Sequence, residues 1–278
     1  MFLPFHPRIT LQDGGAAAFC LNKIEARYLY DHDIPAYFQH GIALRPGDTV
    51  FDVGANIGLF ALSVYERYGT DVNVYAFEPI PPIFEVLRLN ADRFAPGKLK
   101  AFPFGLSKKQ DSLTFSYFPR LPCRSSAYLD QSNLPLECDR FKQCLLKEIE
   151  AGKLMPRLRW VPLSVRSAVL DRVVKWLLEM KRFSCEVKTV SDIVREHDIC
   201  RIDLLKVDVE GGELDVLRGI EHHDWQKVRQ VVLEIENFSK RSQEAVALLD
   251  QQGFKRIEVD EMSSVERRGD VGMIYAFT

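Results

Sequence analysis

Two acidic residues, Asp52 and Glu78, sit in or close apolar runs that read as β-strands, and this pairing is the most telling chemical pattern in the chain. Asp52 lies in DTVFDVGANIGLF (residues 48–60). Val50, Phe51 and Val53 suit a strand covered on both faces, Gly54 and Gly58 free the backbone for a tight turn or a close ligand, and Leu59, Phe60 and Leu62 open a helical face. A dinucleotide loop seats a pyrophosphate on G-x-G-x-x-G, whereas the spacing here is D-x-G-x-N-x-G, with Asn56 inside it and a carboxylate that repels pyrophosphate. Such a carboxylate favours a ligand carrying an ammonium group, and S-adenosylmethionine carries one. Glu78, followed by Pro79, ends VNVYAFE (72–78) where an acceptor would meet the two hydroxyls of a ribose. Open α/β sheets bind ligands at these carboxyl strand ends. Helix capping by Asp52 and plain solvation of Glu78 are the alternatives for either acid alone, but their joint position after consecutive strands favours an adenosyl ligand.

Two further strands bring acids to the same rim. IDLLKVD (202–208) is a buried run ending in Asp208 and followed by Glu210, and VVLEIE (231–236) ends in Glu234 and Glu236. Strand alternation puts Lys206 on the side of Asp208, and Glu234 on the side of Glu236, so a structural Lys206–Glu234 ion pair is one expectation. A divalent ion held by the four acids is another, weakly supported without neighbouring histidines, and no metal site is assigned.

The positioning elements alternate as in an α/β fold. Residues 24–38 read as a helical, irregularly apolar segment within an N-terminal lid (1–45), in which Glu25, Tyr28 and Tyr30 are candidates to close over a cofactor. Pro46-Gly47 breaks the chain, and a core over 46–278 follows. A helix from Pro82, a strand over 99–104 whose end (Gly105, Leu106) flanks an adenine, a strand over 112–117, a capped helix in TVSDIVREH, helices over 214–220 and 239–251, and strands over 255–258 and 272–277 complete the expected sheet.

With 278 residues, 46% of them hydrophobic, the chain can bury a full core without a disulfide or metal staple. Lys+Arg 37 against Asp+Glu 39 gives a net charge of -2, which excludes a global field for nucleic acid. Six cysteines without a CxxC pair read as free thiols in a reducing compartment, no apolar run has the length of a membrane span or signal peptide, and a cytoplasmic location follows. The histidines are isolated or, at His222-His223, in a loop.

DTVFDVGANIGLF, YAFEPIPP, IDLLKVDVEGGELDVLRGI and VVLEIEN, in this order, resemble the FkbM family of S-adenosylmethionine-dependent O-methyltransferases, particularly members of polyketide and nonribosomal peptide pathways. The resemblance covers about residues 20–118 and 185–278. It implies a class I methyltransferase, Rossmann-like fold with a seven-stranded, mainly parallel sheet, and methylation of a hydroxyl or carboxyl on a small, natural-product acceptor. It also implies that Asp52, Gly54, Asn56 and Gly58 form the cofactor loop, that Glu78 is the ribose acid, and that Lys206, Asp208, Glu210 and Gly211 belong to the signature after the fourth strand. Family members commonly carry histidine where this chain has Glu236. Methyl transfer to oxygen needs an in-line acceptor and removal of its proton, so Asp208, Glu210, Glu234 and Glu236, with Lys206 as modulator, are the catalytic candidates. A nicotinamide-dependent oxidoreductase, disfavoured by Asp52 and the missing third glycine, and a cofactor-binding scaffold without chemistry are the alternatives.

The family pattern lapses over 119–185, an expected, largely helical inserted lid that governs substrate choice. Arg120, Arg124, Ser125, Ser126 and Tyr128 match a loop near the acceptor by resemblance alone. Leu170, Val173, Val174, Leu177 and Leu178 make an amphipathic helix. Lys153, Arg157, Arg159, Arg166, Arg172, Lys175, Lys181 and Arg182 against Asp171 and Glu179 make the segment locally basic. It is expected to dock an acidic partner such as a carrier protein bearing a tethered substrate, with an anionic membrane surface as the alternative and a solvated lid face as the plain one.

Overall fold

The structure, a computed structural model, describes residues 6–11, 17–129, 134–152, 155–261 and 270–278. The chain begins with β1 (Arg8–Thr10) and β2 (Ala17–Phe19), an antiparallel pair that the sequence reading does not anticipate. Helix α1 (Lys23–Tyr28) follows, capped by the Asn22 side chain on the N–H groups of Ile24 and Glu25. It passes into a π-helical turn (Leu29–Asp33) and a 3-10 turn (Ile34–Phe38), so the segment expected as one helix changes its winding twice.

Strand β3 (Thr49–Val53), α2 (Leu59–Tyr68), β4 (Asn73–Phe77), α3 (Pro81–Phe94) and β5 (Leu99–Phe102) form a doubly wound half. Pro81 opens α3 because its fixed φ suits the first turn and its missing N–H would be orphaned there anyway. Short β6 (Gly105–Leu106), β7 (Asp111–Tyr117) and β8 (Lys181–Lys188) make a small sheet beside the core. Between β7 and β8 lie a 3-10 turn (Pro122–Arg124), α4 (Leu134–Glu150), a second 3-10 turn (Pro156–Trp160) and α5 (Leu163–Leu177). The inserted segment is thus helical over its middle and rejoins the body through β8, from Lys181 rather than after Cys185.

The second half comprises α6 (Val190–Glu196), β9 (Leu204–Val207), α7 (Glu213–Arg218), α8 (His222–Trp225), β10 (Gln230–Glu236), α9 (Phe238–Gln251), β11 (Arg256–Glu261) and β12 (Val271–Phe277). Thr189 and Asp192 close a capping box on α6. The main sheet has the order β11-β12-β10-β9-β3-β4-β5, with β12 antiparallel to both of its neighbours. Every residue of β9 is buried, as are four of the five of β3, because helices cover both faces. One core layer contains Val50, Ala76, Leu204 and Val232, and the other Phe51, Phe77, Leu205 and Leu233. The order reverses between β3 and β4 on one side and β9 on the other, which opens the crevice where such sheets hold ligands.

Candidate active site

Strand alternation places Asp52 and Lys206 on the same face as Val50 and Leu204, and the parallel register sets them directly opposite each other. Lys206 Nζ lies 3.1 Å from Asp52 Oδ1 and 3.7 Å from Asp208 Oδ2, and donates to Gly54 O at 2.9 Å. Asp52 is fully buried behind this ammonium. Burial raises its carboxyl above the ordinary value, and Lys206 opposes that shift. For Lys206, burial lowers the ammonium, but Asp52 and Asp208 outweigh it and the group sits above its ordinary value.

Gly54 makes the close approach of the β3 and β9 ends possible. A Cβ there would fall 1.7 Å from Asp208 O, and the residue has φ +76°. Asn56 is also left-handed, at φ 49°, and its side chain accepts from the Ile57 N–H at 2.7 Å. Gly58 begins α2 away from the cavity, against Leu87.

A cavity opens above these strand ends, lined by Gly54, Ala55, Asn56, Glu78, Pro79, Ile80, Gly105, Leu106, Lys206, Asp208, Glu210 and Glu234. The N-terminal segment roofs it with Leu29, Asp33, Ile34 and Tyr37. Asp52 is not on its wall, so the loop acid faces Lys206 where a cofactor ammonium was expected to meet it. Glu25, Tyr28 and Tyr30 do not line it either. Glu25 accepts from the Cys123 N–H at 3.0 Å, Tyr30 bonds to Glu66, and Tyr28 is exposed.

Tyr37, which the sequence reading passes over, is the organising residue of this roof. Its hydroxyl lies 2.8 Å from Asp208 Oδ2 and 2.6 Å from Glu234 Oε2, and its ring stands over Lys206 Nζ at 5.3 Å. No periodicity marks it in a segment that rewinds twice. Three carboxylates, Asp52, Asp208 and Glu234, therefore surround one ammonium, and the surplus negative charge faces the cavity. At its other end Glu78 accepts from Asn56 N (3.2 Å) and Ile80 N (2.9 Å), and burial pushes its carboxyl up to about 7. Between the two acidic ends the wall is apolar, with Ile80, Leu106, Leu113, Phe115 and Val187. A ligand that is cationic at one end, carries a diol and has a flat apolar ring fits this sequence of surfaces.

A second, more polar cavity adjoins the first and shares Glu210 and Tyr128 with it. Its wall includes Phe118, Arg124, Ser126, Phe141, Leu178, Gly211, Asp215, Glu236 and Arg241. The partition is built on the turn after β9. Glu210 is left-handed at φ 54°, Ser126 Oγ donates to Glu210 O at 2.5 Å, and the Tyr128 ring lies against Gly212, where a Cβ would come within 2.5 Å of it. Glu213 accepts from the Gly211 N–H at 2.6 Å and pairs with Arg241 at 2.8 Å. Burial and the neighbouring Glu236, Asp208 and Glu234 raise Glu210 well above the carboxylate range, while Arg124 opposes the shift. Burial, Glu213, Glu234 and Asp208 raise Glu236 in the same way. Arg241 is a further residue that the sequence reading does not single out. Among the described residues no group of His, Cys, Asp and Glu has the arrangement of a metal site.

The family model described as the methyltransferase FkbM domain matches residues 174–256. The chain is 33% identical to 31-O-demethyl-FK506 methyltransferase FkbM of Streptomyces tacrolimicus, over 86% of each chain. It is also 33% identical to methyltransferase sdnD of Sordaria araneosa, over 85% of each. A stretch of the AMB antimetabolite synthetase AmbE of Pseudomonas aeruginosa is 34% identical over 77% of this chain, which spans only 10% of that much longer protein. The crystal structure of methyltransferase FkbM from Methylobacillus flagellatus superposes with a TM-score of 0.51 at 14% identity, over 91% of this chain and 51% of that one, and shares the class I methyltransferase fold.

Proposed function

This chain belongs to the FkbM methyltransferase family, and from that premise we propose that it methylates an oxygen of a small polar acceptor held in the second cavity, with S-adenosylmethionine in the first. The observation that carries this reading is the shared wall: Glu210 and Tyr128 line both cavities, so a donor and an acceptor seated in them meet at the turn after β9. When bound, S-adenosylmethionine supplies an electrophilic methyl group carried on a sulfonium.

Each end of the first cavity has a task. Glu78, held by two backbone N–H groups, presents its remaining acceptor capacity to a ribose diol. Pro79, Ile80, Gly105 and Leu106 flank an adenine. Asp208 and Glu234, fixed by the Tyr37 hydroxyl, draw a cationic tail to the opposite end. Asp52 acts one step back, by holding Lys206 in place and keeping it charged.

In the second cavity Glu236, with Glu210 beside it, takes the proton that an attacking hydroxyl must lose. Glu236, pushed up to about 7 by burial and by the neighbouring acids, is basic enough for that task near neutral pH. Glu236 thereby fills the position that commonly holds histidine in the family. Arg124 limits the shift on Glu210 and shapes the pocket, and Ser126 and Tyr128, part of the inserted region, add to the acceptor wall.

Turnover of a panel of hydroxyl- and carboxyl-bearing acceptors with labelled S-adenosylmethionine tests the reading. A labelled product that survives alkaline treatment and whose methyl carbon has the NMR shift of an O-methyl group is a methyl ether. A product that alkali cleaves is an ester and assigns the carboxyl instead. Label on nitrogen or carbon contradicts the proposal.

A further inference from the structure

We propose that the outer face of the inserted helical segment docks on an anionic lipid surface. Most of the large apolar side chains that the described surface exposes are concentrated over residues 155–176. Trp160 is 78% exposed, Trp176 57% and Val169 53%, and Val165 shares the side of α5 that carries Val169 and Trp176. The spacing 165, 169, 176 runs along the outward stripe of that helix, opposite the buried Leu170 and Val174 that pack on Phe141 and Ile149 of α4. Trp176 stands in the last turn of α5, and Trp160 in the 3-10 turn that precedes the helix. An apolar patch so concentrated marks an interaction surface.

The charges around it carry one sign. Arg157, Arg159, Arg172 and Lys175 are exposed, whereas the two acids of the segment are engaged, Asp171 with Lys142 at 2.6 Å and Glu179 with Arg120 at 2.7 Å. Lys153 lies outside the described residues. The surplus is local, on a chain of net charge -2. Charge alone suits an acidic protein as well as an anionic lipid. What favours lipid is the shape and the residue set: an open ridge with only a shallow depression at Val165, Ala168 and Val169, two exposed tryptophans, and flanking cations, as in helices that lie in the headgroup plane. Among the described residues no helix is long and apolar enough to cross a membrane, so the contact is peripheral. The far side of the same segment, through Phe141 and Leu178, walls the second cavity, which sets a docked surface beside the acceptor entrance.

Sedimentation of the full chain with phosphatidylcholine vesicles, with and without phosphatidylglycerol, tests this. The wild-type chain is expected to pellet with the anionic vesicles alone, and less so as salt rises. V165E/V169E is expected to abolish pelleting by removing the apolar contact. R172E/K175E is expected to weaken it at least about thirtyfold, from roughly a factor of five to six for each cation lost near the surface. Unchanged binding of S-adenosylhomocysteine to both variants shows that the fold is intact. A wild-type chain that stays in solution with anionic vesicles at low salt overturns the proposal, as does pelleting that persists in both variants. Conversion of a dimer to a monomer by V165E/V169E overturns it by assigning the ridge to a second copy. Amide shifts over Val165–Trp176 with a holo acyl carrier protein, without vesicle binding, overturn it by assigning the ridge to an acidic protein.

Discussion

Asp52 and Lys206 are register partners on adjacent parallel strands, 3.1 Å apart and both buried, and this pair lies at the floor of the first cavity, which Lys206 lines. Removing one member strands the other as an uncompensated buried charge. Lys206→Met is therefore expected to destabilise the protein by about 3–5 kcal/mol in urea unfolding, and the double variant Asp52→Asn/Lys206→Met to recover much of that loss. A single variant as stable as wild type would show that the pair is not coupled.

Tyr37 joins the N-terminal roof to the strand ends through two carboxylates. Tyr37→Phe keeps the ring over Lys206 and deletes the donor. The expected outcome is a loss of about 1 kcal/mol, because two half-buried acceptors share the one donor that is removed, together with weaker S-adenosylhomocysteine binding. Equal affinity in wild type and variant would confine Tyr37 to a packing role.

Part of this arrangement is legible in the sequence and part is not. The strand runs, the capping box at Thr189, the acid after each strand and the family resemblance follow from local pattern, because buried parallel strands and tight glycine turns leave short-range signatures. The partner of Lys206 does not. Alternation points to Glu234 as the partner, but the β10 register sets Val232 beside Lys206, and β9 lies between β3 and β10 so that Asp52 stands opposite instead. Tyr37 is hidden for a related reason: its segment has no single helical period, and its contacts lie 171 and 197 residues away. The wall of the second cavity is legible only as a resemblance, since Tyr128 takes its place by packing on Gly211 and Gly212 and Ser126 by donating to Glu210 O.

Glu78 supplies a pH dependence whose sign is fixed. Its folded value is raised from 4.5 to about 7, so its contribution to stability is full below pH 4.5 and is lost as pH rises through about 7. A ribose diol donates to the ionised form and pulls the value down. Binding of S-adenosylhomocysteine near pH 7 is thus expected to release a proton, seen as a calorimetric enthalpy that varies with buffer ionisation, and Glu78→Gln to abolish that variation. A buffer-independent enthalpy in wild type would remove Glu78 from the ribose.

Glu236 is predicted to act in turnover and not in donor binding. With its carboxyl raised by burial and by neighbouring acids, activity climbs with pH as the group ionises. Glu236→Gln is expected to lower kcat by about 10²–10⁴-fold, to flatten that climb and to leave the donor KM unchanged. A variant with wild-type kcat passes the role to Glu210.

The central claim, that the cavity roofed by Tyr37 and bounded by Glu78 is the donor site, is met most directly by calorimetric titration of S-adenosylhomocysteine into wild type, Glu78→Ala and Glu236→Gln. One ligand per chain, with affinity at least about tenfold weaker in Glu78→Ala, as loss of a charge-assisted acceptor implies, and unchanged in Glu236→Gln, is the predicted result. Absence of binding to wild type, or equal affinity in Glu78→Ala, would contradict it.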